Sequence, residues 1–68
     1  MGGVPHAFYA EEARNFLDEY EFARSFGLSN ELIAIYWDTT VENILRRIRR
    51  AHNTLEQWEK MQREKVNQ

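Results

Sequence analysis

Residues 27–51 read Gly27-Leu28-Ser29-Asn30-Glu31-Leu32-Ile33-Ala34-Ile35-Tyr36-Trp37-Asp38-Thr39-Thr40-Val41-Glu42-Asn43-Ile44-Leu45-Arg46-Arg47-Ile48-Arg49-Arg50-Ala51, and this stretch decides the fold. It opens with a glycine suited to end one helix and a serine suited to cap the next. Asn30 to Trp37 suffices for about two helical turns. Asp38-Thr39-Thr40 then breaks the pattern. Aspartate tolerates the left-handed backbone of a tight turn, and either threonine can cap a second helix. Thr39 with Glu42 fits a capping box, while Thr40 is the competing cap. From Val41 the apolar residues fall at Val41, Ile44, Ile48, Ala51, Leu55 and Trp58. Alternating steps of three and four place them on one stripe of a long helix.

A short helix, a tight turn and a longer helix make a helix-turn-helix. That arrangement needs a small residue where the helices cross, and Ala34 supplies it. Ile33 and Trp37 anchor the first helix, and Val41, Ile44 and Ile48 face inward on the second. This choice sets the outward positions. Asn43, Arg46, Arg47 and Arg50 stand at i, i+3, i+4 and i+7 and share a stripe. Arginine reads guanine edges and grips phosphates, and asparagine reads adenine, so the predicted partner is double-stranded DNA. Thr40 and Glu42, at the helix start, are within reach of bases or phosphates. Arg49 lies off the stripe and is expected to touch a phosphate or an acid on the first helix.

The run Gly27 to Ala34, then Thr40-Val41, Ile44, Arg47-Ile48 and Arg50-Ala51, resembles the helix-turn-helix of bacterial sigma factor region 4. It is similar also to the output domains of LuxR-type response regulators. The resemblance is ungapped over about 26 residues. It implies a transcriptional regulator whose DNA-facing positions are Thr40, Glu42, Asn43, Arg46, Arg47 and Arg50. Leu32, Ile35 and Leu45 depart from those families by placing apolar side chains where wet ones are usual.

Upstream, apolar residues from about His6 to Phe26 recur at helical spacing: Phe8 or Tyr9, Ala13, Phe16, Leu17, Tyr20 and Ala23. Glu11, Glu12, Arg14, Asp18 and Glu19 lie opposite. A bend near Tyr20 to Phe22 is compatible with this pattern. Pro5 fits a first turn, Gly27 the terminus, and residues 1–5 are expected to be disordered. The expected architecture is all-α, a small three-helix helix-turn-helix domain with a long C-terminal helix. Residues 1–68 form one domain, 29–51 the helix-turn-helix and 59–68 a charged helical tail.

Composition narrows the function. Sixty-eight residues allow one domain with a marginal core of its own, and without cysteine neither a disulfide nor a thiolate site can staple it. Residues 1–38 carry two basic and seven acidic side chains, a net −5, and residues 39–68 carry seven basic and four acidic, a net +3. Positive charge confined to one segment fits a single element touching a polyanion. The competing arrangement is neutralisation of the arginines by the acids of the first helix. No apolar run approaches the length of a bilayer span and no signal peptide is visible, so a cytoplasmic protein without membrane contact is expected.

His6 and His52 are far apart, and the adjacent acids Glu11-Glu12 and Asp18-Glu19 point in different directions. No metal site, cofactor or enzyme activity is expected. The long helix outruns what a short chain can cover, so Leu55, Trp58 and Met61 meet either the N-terminal aromatics or a second copy. A homodimer pairing two recognition helices across a palindrome is the expected assembly, with Leu45, Leu55, Trp58 and Met61 at the dimer or partner interface. Small size suits a phage or mobile-element regulator. The alternative is a protein-interaction module that inhibits or redirects a transcription factor or RNA polymerase, motivated by the extra apolar surface and the acidic N-terminal half.

Overall fold

The helix boundaries are set by local capping chemistry. The computed structural model describes residues 6–66, so the expected disorder of residues 1–5 lies outside the described residues. Three helices run in order: α1 (His6–Ser25), α2 (Asn30–Tyr36) and α3 (Val41–Val66). The chain is all-α, with no strand among the described residues. The last helix, at 26 residues, extends about 39 Å. It includes the charged tail as far as Val66. α1 is one helix through Tyr20 to Phe22.

α1 and α2 end in the same way. Gly27 adopts φ +86°, its N–H donates to the Arg24 carbonyl at 2.8 Å, and the Leu28 N–H donates to the Ala23 carbonyl at 3.4 Å. At the end of α2, Asp38 adopts φ +54°, its N–H donates to the Ile35 carbonyl at 3.2 Å, and the Thr39 N–H donates to the Ala34 carbonyl at 2.8 Å. Both are Schellman motifs, which satisfy carbonyls that a helix end would leave bare. The left-handed residue is a glycine in one and an aspartate in the other.

Side chains open α2 and α3. Ser29 Oγ accepts from the Leu32 N–H at 3.3 Å, and Thr40 Oγ1 accepts from the Asn43 N–H at 3.1 Å. Thr40 is therefore the cap of α3. Thr39 instead accepts a 3.4 Å bond from the Asn43 side-chain amide. Two further bonds tie α1 to the α1–α2 connection and the start of α2: Tyr20 hydroxyl to Asn30 Oδ1 at 2.7 Å, and Arg24 guanidinium to the Leu28 carbonyl at 3.0 Å.

The core has two centres. Ile33, Ala34 and Ile44 form one, flanked by Tyr20, Ala23, Leu28 and Val41. Ala13, Phe16, Leu17 and Ala51 form the other, with Leu55 packed against it. Trp37 and Ile48 touch both and join them. Pairings of Ala13 with Ala51, and of Tyr9 with Trp58 and Met61, show that α1 and α3 run antiparallel.

One detail of α1 differs from the sequence expectation. Ala10 is buried, while Phe8 and Tyr9 stay about half exposed with their rings edge to face. Close approach of the helices favours the small residues Ala10, Ala13 and Ala51 at their contact line, which leaves the large Phe8 and Tyr9 at its margin.

Candidate functional site

With Ile44, Ile48, Ala51 and Leu55 turned to the core, helical geometry points Arg46 directly away from it, with Arg49 and Arg50 to either side. Arg50 is on the side nearer α1. Glu42, Asn43, Arg46, Arg49 and Arg50 are all exposed, as is Thr40 at the cap. The helix bearing them is braced at its start by the Thr40 cap and along its first turns by Ile33 and Ala34 of α2. The Asn43 amide is engaged locally with Thr39, so a base contact by Asn43 requires that bond to be exchanged.

The arginine cluster divides. The Arg47 guanidinium carbon lies 4.3 Å from the centre of the Phe16 ring, within cation–π range. Phe16 in turn packs on the Trp37 ring, 5.7 Å between centroids. Glu12, Asn15, Glu19 and Thr39 line the same open groove between α1 and α3. Arg50 borders its continuation with Tyr9, Glu12 and Thr54. Arg47, itself exposed, thus rests on a ring of α1, and Arg50 borders the same helix. Arg49, two residues beyond Arg47, points about 160° away from it. It therefore faces away from the acids of α1, which were its possible partners on sequence grounds.

The four apolar positions expected at an interface separate in the same way. Leu55 is used inside the chain, against the Ala13, Phe16, Leu17 and Ala51 cluster. Trp58 and Met61 are half-buried and share a shallow groove with Tyr9 of their own chain. Leu45 remains exposed beside Arg46 and Arg49.

Sequence reasoning does not identify the stacked Arg47–Phe16–Trp37 series. It depends on the antiparallel register of α1 and α3, for which Ala13 and Ala51 are the available signal. Nor does it identify the full extent of apolar surface on α2, where Tyr36 joins Leu32 and Ile35, nor the exposed Phe22–Phe26 pair. Once Ile33, Ala34 and Trp37 are assigned inward, the helical period leaves Leu32, Ile35 and Tyr36 outside.

Among the described residues no three or more His, Cys, Asp or Glu side chains are grouped to hold a metal ion, and no helix is long and apolar enough to cross a membrane. Comparison with known protein families, characterised proteins and solved structures returns no match for this chain.

Proposed function

We propose that the chain is a small sequence-specific DNA-binding regulator of transcription that inserts the first turns of α3 into the major groove. The observation that carries this reading is the outward placement of Arg46, flanked by Arg49 and Arg50, on a helix braced by α2. Those side chains have the chemistry for guanine edges and phosphates, and Thr40 and Glu42 stand beside them at the helix start. Arg47 contributes indirectly, by holding α3 against Phe16. The resemblance to sigma factor region 4 and LuxR-type domains supports the same assignment. In this reading the regulator works in the cytoplasm as a homodimer on a palindromic site, and its size suits a phage or mobile-element origin.

Selection of bound oligonucleotides from a random pool tests the proposal. The expected result is an enriched sequence whose binding weakens steeply as salt rises. Arg46→Ala should cost about 1–3 kcal/mol at the selected site and relax base preference there. A pool that never enriches, or binding that ignores salt, rejects the reading.

A second reading draws on a specific feature. Leu32, Ile35 and Leu45 expose apolar surface that neither the core nor a phosphate backbone needs. A module that inhibits or redirects a transcription factor or RNA polymerase would use such surface. Absence of DNA binding together with capture of one of those proteins favours it over the first reading.

A further inference from the structure

We infer that the outer face of α2 docks a protein segment that is apolar at its centre and flanked by lysine or arginine. This deepens the second reading above, on which it rests, by naming the chemistry of the partner; it does not depend on DNA binding.

The apolar half of the surface belongs to a helix of only seven residues. Its inward side chains, Ile33 and Ala34, are buried, and Trp37 closes the core just past its end. Leu32, Ile35 and Tyr36 stand at i, i+3 and i+4, so they form one contiguous stripe on the other side. Ile35 is 72% and Tyr36 74% exposed. Among the described residues, neither core cluster includes these three side chains. A contiguous apolar stripe on a short surface helix is a feature of interaction sites rather than of solvated faces.

Charge selects the partner. From Ser25 to Leu45 there is no basic side chain, whereas Glu31, Asp38 and Glu42 are all present and exposed. Glu31 sits one turn before Ile35, and Asp38 lies just past Tyr36. The stripe and the acids at its two ends thus form one surface with apolar and anionic parts.

A second copy of the chain fits this surface poorly. A symmetric contact through α2 would bring Glu31 and Asp38 towards their own equivalents, and like charges across an interface oppose it. A basic, apolar partner meets no such repulsion. Since α2 and α3 turn their buried stripes to a shared core, this face and the arginine face of α3 point in different directions. Both can be occupied at once.

The test is selection of binders from a displayed library of random peptides against the full chain. Enriched peptides should carry Leu, Ile or Phe three or four residues apart, flanked by Lys or Arg. Synthesised, they should lose about tenfold in affinity against Ile35→Ser and again against Glu31→Lys, and should weaken as salt rises. Both changes lie on exposed side chains, and unchanged helical circular dichroism verifies that the variants fold. Enriched peptides that are neutral or acidic yet sensitive to Ile35→Ser overturn the partner chemistry while keeping the interaction reading. Peptides insensitive to both changes, or no enrichment, overturn the docking site itself. A concentration-dependent dimer abolished by Ile35→Ser gives the face to a second copy and also ends the proposal.

Discussion

α2 meets α3 through Ile33 and Ile44, each only 1% exposed, whereas α1 lies along α3 through Ala13, Phe16, Leu17 and Ala51, which retain 5–8%. The first contact is concentrated and the second is spread out. A seven-residue helix is too short to persist alone, so α2 depends on a few fully buried side chains and on caps at both ends. α1 has twenty residues and distributes its attachment along a seam. The attachment of α2, and with it the turn that aims the start of α3, therefore rests on fewer side chains.

The largest expected effect probes that difference. Ile44→Ala should lower stability by about 2–5 kcal/mol and exceed Leu55→Ala, because Ile44 is fully enclosed and Leu55 only half-buried. Urea unfolding of the two variants measures it, and the reverse order would break the contrast between concentrated and distributed packing. Next comes the glycine at the end of α1. Gly27→Ala should cost about 1–2 kcal/mol purely through its left-handed backbone, since a Cβ there meets nothing within 4 Å.

Removing the cap of α3 sharpens the comparison on the other side. Thr40→Ala should cost about 1 kcal/mol and Thr39→Ala less, because only Thr40 accepts a backbone N–H of α3. Thermal unfolding monitored by circular dichroism distinguishes them, and equal losses would contradict the assigned cap. The smallest effect belongs to the α1–α3 groove. Arg47→Ala should cost about 0.5–1 kcal/mol of stability by removing the cation from Phe16. Its effect on binding at a selected DNA site should be smaller than that of Arg46→Ala, and a larger one would return Arg47 to direct contact.

The helices themselves were legible because their signals are local. Ser29, Thr40, Gly27 and Asp38 act within a few residues of their own position, and each does in the structure what its chemistry suggests. The inward positions of α3 were legible for the same reason, since Val41, Ile44, Ile48, Ala51 and Leu55 repeat at the helical period. The choice between Thr39 and Thr40 was not, because both satisfy the sequence pattern and only the actual backbone direction selects one acceptor.

The candidate site was less legible. A stripe drawn on an isolated helix places Asn43, Arg46, Arg47 and Arg50 together, but an isolated helix has no neighbour to claim one of them. Packing of α1 brings Phe16 to Arg47 and carboxylates to the same groove, and this divides the arginines by environment. Likewise, nothing in the spacing of Trp58 and Met61 says that they share a groove with Tyr9; the antiparallel register of α1 brings the three together.

The amino-acid order alone thus determined three helices, their ends, the buried stripe of the last one and the uneven distribution of charge, because capping, periodicity and charge are properties of neighbours in the chain. The tertiary structure decided which arginines turn outward, which apolar groups stay uncovered on α2, and that Trp37 joins the two halves of the core. Those outcomes depend on how residues far apart in sequence share the same limited volume, and no local preference specifies that.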